Sequence, residues 1–298
     1  MPGTPGIIAA VAFVDPVGAT IRAVWHRTPD EITPLSGGLH GRAWLVRAEG
    51  ERYVAKLAPL ADRPQFEAGL AAADFLRHRG VLAGTPVRTA DGALTAVVDE
   101  GVLALLYGVP GRPLEGDDPL DQQWWGDLLG RVHRKLDGFT HPGLAPWHWL
   151  RADANHLGVE PWLRPAVCAA VAAMTKLCVT DRLTYGVLHG DPHPRAFAID
   201  ADTGRSGLAD WGAAAAGPLA YDVASAVLYA GGLPAAAELL DGYAAAGPVP
   251  ADELHAALPV MVRFRWAARA DWHARQLAEG DESHHAGLRA AQEALTTG

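Results

Sequence analysis

The sequence changes character once, at residues 108–113, where Gly-Val-Pro-Gly-Arg-Pro ends every hydrophobic periodicity. Before this break, runs of β-forming residues predict short strands at 32–37, 42–48 and 52–57, and two or three more within 86–90, 93–99 and 102–107. Glu49 and Gly50 suit a hairpin turn, and a helix is predicted at 64–79. The first third of the chain is therefore predicted to form an antiparallel sheet with a helix.

After the break, the composition shifts towards helix. Six segments, several of them rich in alanine, have helical patterns: 120–137, 161–183, 217–231, 234–245, 251–279 and 284–296. Only short strands interrupt them, near 186–188, 196–199 and 206–209. A β-rich part joined by a glycine- and proline-rich hinge to a helical part predicts an α+β fold of two lobes, residues 1–107 and 108–298.

The overall charge and the length of the apolar stretch near the start argue against two classes of partner. The formal charge is -9 and the pI is about 5.8, so the basic surface of a nucleic-acid-binding protein is not expected. The longest apolar stretch near the start, residues 7–14, is far shorter than the roughly 20 residues of a membrane-spanning helix. We therefore expect a cytoplasmic protein that binds neither nucleic acid nor a membrane.

Two aspartates follow neighbouring short strands in the second part. Apolar residues lead into His189, Gly190 and Asp191, and a second apolar run leads into Asp210, which precedes Trp-Gly. One carboxylate that accepts a proton or orients a hydroxyl, and another that holds magnesium against phosphate oxygens, are what phosphoryl transfer requires. Each aspartate taken alone also suits a simple turn.

These motifs together resemble the catalytic core of the aminoglycoside phosphotransferase and choline kinase-like superfamily, which has a protein-kinase-like fold. The motifs are His-Gly-Asp-x-His-Pro at 189–194, hydrophobic-x-Asp-Trp at 208–211 and Gly-Pro-Leu-Ala-Tyr-Asp at 217–222, within a likeness that covers residues 30–245. The resemblance implies that Asp191 is the catalytic base and Asp210 the magnesium ligand. It makes Asp222 a structural carboxylate that steadies the catalytic loop, in which His189 packs and hydrogen-bonds.

The same resemblance implies a site for ATP and Mg²⁺ in the first lobe. Gly37 and Gly38 would let backbone N–H groups close over phosphates, although Gly-Gly turns also join ordinary hairpins. Lys56, one of only three lysines, would reach the α- and β-phosphates. Glu67, the only glutamate of the next helix, would balance its charge, unless both charges are simply solvated. Adenine would hydrogen-bond backbone groups from Leu106 to Gly108.

The catalytic loop departs from the family pattern at Ala196, where the family has an asparagine that ligates metal. The chain has a single asparagine, Asn155, far upstream, so no shift of the alignment supplies one. Three hypotheses stay open: an active ATP-dependent phosphotransferase acting on a hydroxyl of a small molecule, aminoglycoside-like or otherwise; a pseudokinase or scaffold that binds nucleotide or peptide; and a tailoring protein that phosphorylates Ser or Thr of a precursor peptide in a natural-product pathway. Retention of the lysine, glutamate and both aspartates favours the first.

The acceptor site is expected along residues 251–280, because in this family it lies between the catalytic loop and the C-terminal helices. Arg263, Trp266 and Trp272 are the predicted substrate residues, and their mixed chemistry fits a sugar, an anion or a peptide. A buried tryptophan face beside a solvated arginine face would give the same pattern. The arginines argue against a purely cationic antibiotic, whereas an acidic cluster past the hinge would attract amines or only keep a loop soluble. That cluster consists of Glu115, Asp117, Asp118 and Asp121. The expected partner is thus a small-molecule or peptide hydroxyl substrate, with a pathway protein as a further candidate.

Overall fold

The computed structural model describes residues 6–35, 42–147 and 149–296, and for residues 6–15 it describes the backbone alone. The helices are α1 (Gly6–Trp25), α2 (Arg63–Arg77), α3 (Pro119–Lys135), α4 (Leu163–Thr180), α5 (Ala220–Tyr229), α6 (Ala237–Ala246), α7 (Ala251–Ala278) and α8 (His285–Thr296). The strands are β1 (Pro29–Leu35), β2 (Arg42–Ala48), β3 (Glu51–Ala58), β4 (Pro86–Val87), β5 (Ala96–Val98), β6 (Gly101–Tyr107), β7 (Arg112–Pro113), β8 (Ala145–Pro146), β9 (Tyr185–Leu188), β10 (Phe197–Asp200), β11 (Arg205–Leu208) and β12 (Ala215–Pro218). An antiparallel sheet region followed by a helical majority confirms the predicted α+β fold class.

The chain divides into two compact units that interleave along the sequence. The first is Met1–Pro113, Gly138–Ala145 and Ala196–Ala215, and the second is Leu114–Asp137, Pro146–Arg195 and Ala216–Gly298. Strands β10 and β11 belong to the first unit because β10 pairs antiparallel with β7. The predicted lobes, 1–107 and 108–298, differ from these units. The chain passes from one unit to the other several times, and a single boundary cannot represent this.

The sheet of the first unit has the order β1-β2-β3-β6-β4, with β5 also paired to β6 and every pair antiparallel. Alternate residues of β2 are buried on one face, where Trp44 and Val46 pack with Ile21 and Trp25 of α1. On the other face, Phe66 of α2 packs among β3 and β6 residues. Each face is covered by a helix, so the sheet forms the centre of this unit.

The segment that carries Asp210 is held against α2 in the same unit. At Gly69 a Cβ would overlap the carbonyl oxygen of Trp211, so only glycine permits this approach. Gln65 donates its Nε2–H to the carbonyl oxygen of Ala214 over 3.2 Å. The position of Asp210 is therefore set by backbone contacts on both sides of Trp211.

The second unit is helical, with a small sheet of order β8-β12-β9 at its edge. Helix α3 packs on α6, and a Cβ at Gly126 would overlap the carbonyl oxygen of Leu239. The long α7 packs against α4, α5 and α8. Within this unit Trp147, Tyr221 and Phe264 form an aromatic cluster with ring centroids 4.9–6.4 Å apart. These contacts fix α5 against α7.

Helix α4 is, by length and composition only, apolar enough to cross a membrane. Its buried residues recur every three or four positions at Leu163, Val167, Ala170, Met174 and Leu177. This spacing places them on one face, and α4 packs on α7. Such a pattern is typical of a helix that covers a core.

Candidate active site

The loop after β9 is held by one buried carboxylate. Gly190 has a φ of 87°, which favours glycine, and it turns the chain between His189 and Asp191. The N–H groups of His189 and Gly190 donate to the two carboxylate oxygens of Asp222 over 2.6 and 3.0 Å. The side chains of His189 and Asp222 are fully buried. Asp222 therefore fixes the backbone that precedes Asp191, the role the resemblance implied.

A buried network extends behind Asp222. His133 of α3 lies with its Nε2 3.2 Å from Asp222 and its Nδ1 2.8 Å from the hydroxyl of Tyr243. A carboxylate only accepts, so Nε2 donates to Asp222, and a neutral ring then accepts from Tyr243 at Nδ1. Burial, together with the charge of Asp222, raises the pKa of Tyr243 well above its ordinary value, so the phenol stays protonated. His133 is thus a core histidine that supports Asp222.

Asp191 itself is half-buried and has a neighbour that the sequence analysis missed. Tyr229 of α5 donates its hydroxyl to Asp191 Oδ1 over 2.7 Å. Burial, with a further contribution from Asp191, raises the pKa of Tyr229 far above its usual range, so this donor keeps its proton. Trp125 donates from Nε1 to the carbonyl oxygen of Pro192 over 3.1 Å and secures the loop beyond Asp191.

The first unit contains the second group of predicted residues. Lys56 on β3 and Asp210 after β11, 154 residues apart in sequence, form an ion pair. The Lys56 side chain is 11% exposed and that of Asp210 is 43% exposed, so the cation is enclosed and the carboxylate faces outwards. Asp210 has a φ of 67°, an unusual value for a residue with a side chain, which directs the carboxylate towards Lys56. A cation and a carboxylate are the groups needed for phosphate and magnesium.

Comparisons with known proteins give the family of this chain. The sequence profile of the phosphotransferase enzyme family matches residues 31–258. An uncharacterized protein of Deinococcus radiodurans is 32% identical over 244 residues, which are 75% of this chain and 68% of that protein. The chain belongs to the phosphotransferase enzyme family. The resemblance drawn from the motifs is thereby confirmed.

Solved structures show the fold of this phosphotransferase family member. An amicoumacin kinase in complex with AMP-PNP, Ca²⁺ and Ami has a TM-score of 0.76 at 17% identity, over 98% of this chain and 96% of that one. A microcompartment-associated aminopropanol kinase has a TM-score of 0.75 at 20% identity, over 95% and 98%. Choline kinase LicA from Streptococcus pneumoniae has a TM-score of 0.68 at 12% identity, over 96% and 100%. The predicted kinase-like fold is therefore confirmed.

The expected ion pair between Lys56 and Glu67 is not among the contacts of the described residues. Glu67 accepts from Arg63 over 2.9 Å and from the hydroxyl of Thr95 over 2.6 Å. Burial alone would raise the pKa of Glu67, but these two hydrogen bonds outweigh it and lower the pKa. The charge balance predicted for Lys56 comes from Asp210 instead.

At the hinge where adenine was expected to bind, two backbone N–H groups already donate within the protein. Leu106 is paired within the sheet to both β3 and β4. The N–H of Tyr107 donates to Thr85 and that of Gly108 to Arg52, over 2.9 and 3.0 Å. These two N–H groups are already used, so the prediction of an adenine contact at Leu106 and Gly108 stays untested and rests on the remaining backbone groups.

Two further predictions concern the loops around the site. Gly37 and Gly38 lie outside the described residues. Ala196 is buried in a short 3₁₀ turn, and its carbonyl oxygen accepts from the N–H of Ala209 over 2.7 Å. Its methyl side chain has no atom that could ligate a metal. The departure from the family pattern therefore lies against Ala209, the residue that precedes Asp210.

The three predicted substrate residues of α7 each contact a different neighbour. Arg263 donates to the carbonyl oxygen of Leu295 and so ties α7 to α8. Trp272 packs against the ring of His284, with centroids 4.6 Å apart. Trp266 contacts Arg269, whose guanidinium lies 5.2 Å from its ring. In the acidic cluster, Asp118 caps α3 by accepting from Asp121, which is itself buried.

Proposed function

We propose that this protein is an ATP- and Mg²⁺-dependent phosphotransferase that transfers a phosphoryl group to a hydroxyl of a small molecule. The supporting observation is the ion pair of Lys56 and Asp210, which the fold forms from two distant parts of the sequence. Lysine attracts phosphate oxygens, and an exposed aspartate oxygen is a ligand that Mg²⁺ prefers.

The residues present fit a magnesium–nucleotide. Among the described residues, no group of three or more His, Cys, Asp or Glu side chains forms a metal site by itself. Magnesium is commonly held by one or two carboxylates together with substrate phosphates and water, so Asp210 suffices as the protein's main ligand. When bound, the ion neutralises the charge that develops on the transferred phosphoryl group. Lys56 would then exchange part of its contact with Asp210 for phosphate oxygens.

Asp191 would act on the acceptor. Tyr229 occupies Oδ1, and Oδ2 has no hydrogen-bond partner among the described residues. A substrate hydroxyl that donates to Oδ2 would be oriented for attack on the γ-phosphorus of ATP. Asp191 would take its proton as the new O–P bond forms, the bond to the bridging oxygen breaks and ADP leaves. The fixed loop backbone supplies the rigidity that this positioning needs.

A second candidate is a protein that binds nucleotide without turnover, and Ala196 favours it. In the kinase template the asparagine at this place holds the second Mg²⁺. Loss of supporting residues of a metal site typically reduces affinity or activity about 10–100-fold. The two candidates share Lys56 and Asp210 and differ in whether Asp191 has a substrate.

The test combines calorimetry with turnover. The native protein is titrated with AMP-PNP with and without Mg²⁺, and ADP release is measured over a panel of hydroxyl compounds. Asp210→Ala should abolish the magnesium dependence of binding, whereas Asp191→Asn should keep binding and lose turnover. Asp202→Ala, which removes an exposed carboxylate from the same unit, is the control and should change neither. Absence of binding at millimolar nucleotide would exclude both candidates, and binding without turnover would favour the second.

A further inference from the structure

Two arginines one turn apart on α7 lie near the residues that surround Asp191. Arg265 donates from Nη1 to the hydroxyl of Tyr221 over 2.9 Å, and its guanidinium carbon lies 5.1 Å from that ring. The guanidinium carbon of Arg269 lies 6.0 Å from the ring of Tyr229, whose hydroxyl binds Asp191. All of these residues belong to the second unit.

Neither guanidinium forms an ion pair with a carboxylate of the described residues. The Nε of Arg265 is buried and has no hydrogen-bond partner. Burial would lower the pKa of Arg265, but Tyr221, Tyr229 and Asp191 raise it, so the residue stays charged. Asp191, the carboxylate among the causes that raise this pKa, already accepts from Tyr229.

The positive field extends along α7. Arg265 and Arg269 both oppose the rise in the pKa of Tyr229. Burial, His284 and Arg269 together lower the pKa of His273 to about 4, so this neighbour is neutral at pH 7. Half-buried guanidinium groups without a counter-ion are costly, and a bound anion would remove that cost.

We infer that the acceptor carries an anionic group beside its reactive hydroxyl, and that Arg265 and Arg269 bind this anion while Asp191 receives the hydroxyl. The inference rests on the proposed function and assigns its substrate class: hydroxy acids or phosphorylated alcohols. The planar guanidinium suits both, because two N–H groups meet two oxygens of a carboxylate or phosphate. Nη1 of Arg265 is engaged by Tyr221, which holds the group in place for its remaining donors.

The same arrangement disfavours cationic acceptors. Choline and aminopropanol, which appear in the names of two structural neighbours, carry a positive charge. Such a group next to Arg265 and Arg269 would meet like charges at short range, and like-charge contact is a strong basis for exclusion. The difference in charge therefore separates this site from one for amino alcohols.

The test uses four compounds with a similar three-carbon frame: glycerate, glycerol 3-phosphate, glycerol and serinol. Turnover should favour the two anionic compounds, and their relative rates distinguish a carboxylate from a phosphate. Arg269→Gln should raise KM for the anionic acceptors about 10–100-fold with little change in kcat or in nucleotide affinity. Arg289→Gln, an exposed arginine of α8, is the matched control and should leave KM unchanged. Arg265→Lys keeps the charge but not the fork and should show a smaller rise in KM.

A second measurement separates this inference from the proposed function. Thermal unfolding is followed with each compound in the absence of nucleotide. Stabilisation by the anionic compounds, lost in Arg269→Gln and kept in Arg289→Gln, would support the anion site even if no phosphoryl transfer occurs. Equal effects of anionic and neutral compounds, or preferential binding or turnover of serinol, would overturn it.

Discussion

At the scale of single residues, Asp222 anchors the loop that bears Asp191. Its carboxylate is fully buried and accepts from two backbone N–H groups and from His133. Three donors compensate for removing the charge from water, and hydrogen bonds to a charged acceptor are among the stronger ones.

Replacing Asp222 by Asn should therefore destabilise the fold and impair the loop together. An amide NH₂ would face a backbone N–H donor, so one hydrogen bond is lost and a donor is left unsatisfied. We expect the free energy of unfolding to fall by about 2–4 kcal/mol in urea titrations. Asp241→Asn on α6, which alters an exposed carboxylate, is the control and should stay within about 0.5 kcal/mol of the native value. An unchanged stability of Asp222→Asn would show that the loop is held by other contacts.

The residue scale also shows what the sequence can predict. Asp222 could be predicted because it belongs to a motif with a fixed distance to its neighbours. Tyr229 could not be predicted as a partner of Asp191, although it lies seven residues after Asp222 and hence on the same face of α5. The predicted partner of Glu67 was wrong because Arg63, one turn earlier on α2, and Thr95 are closer. Charge pairing depends on distances that only the fold determines.

At the scale of elements, the attachment of α8 to α7 depends on histidines. Nδ1 of His273 lies 2.9 Å from Nδ1 of His284, so only one of these nitrogens carries a hydrogen. Gly287 of α8 lies against the His273 ring, where a Cβ would overlap it. His284 also contacts Asp281 over 3.3 Å. Protonation of His273 would place a positive charge in this buried contact, beside His284 and Arg269, and so weaken it.

Acid should accordingly loosen the α7–α8 contact. Burial, with His284 and Arg269, lowers the pKa of His273 to about 4, whereas the unfolded chain takes up this proton near 6.5. The unfolded state thus binds more protons between pH 6.5 and 4, so the contribution of His273 is present above pH 6.5 and is lost as the pH falls towards 4. Urea unfolding between pH 7.5 and 4.5 should show a shallower pH dependence in His273→Gln than in the native protein. His255→Gln, at an exposed position of the same helix, should keep the native slope. Equal slopes in all three proteins would remove His273 from the explanation.

Strands with a run of apolar residues were predictable, including the short β9, β10 and β11, whereas strands without one were not. Strand β2 was predicted with its observed bounds, because Trp44, Val46 and Ala48 alternate on the buried face. Strands β7, β8 and β12 have two to four residues and contain proline, so no periodicity could reveal them. They form only because tertiary contacts bring their partners alongside, as β10 does for β7.

At the scale of the whole molecule, the sequence predicts that a β-rich part precedes a helical part. It does not predict that a later segment of the chain belongs to the first unit. A composition shift at residues 108–113 marks one boundary, whereas Ala196–Ala215 rejoins the first unit. This return places Asp210 beside Lys56 and Ala196 beside Ala209. The proposed positions of Lys56 at phosphate and Asp210 at magnesium therefore depend on the folded first unit, and ligand binding there should stabilise that unit.

Magnesium–nucleotide binding should raise the unfolding temperature, and Ala196 should limit the effect. A ligand that binds only the folded state adds about 2.7 kcal/mol at a concentration 100 times its Kd. Asn at 196 would place an amide oxygen next to the segment of Asp210, so Ala196→Asn should enlarge the thermal shift with AMP-PNP and Mg²⁺ and lower the Mg²⁺ concentration needed for half of it about 10-fold. Leucine is similar in size to asparagine but has no ligand atom, so Ala196→Leu should not enlarge the thermal shift. Chelation of Mg²⁺ should abolish the gain seen in Ala196→Asn. The alanine is buried, so both variants should be less stable than the native protein without ligand, which sets the baseline for each shift. An equal Mg²⁺ requirement in the Asn and Leu variants would mean that the departure at Ala196 does not limit metal binding.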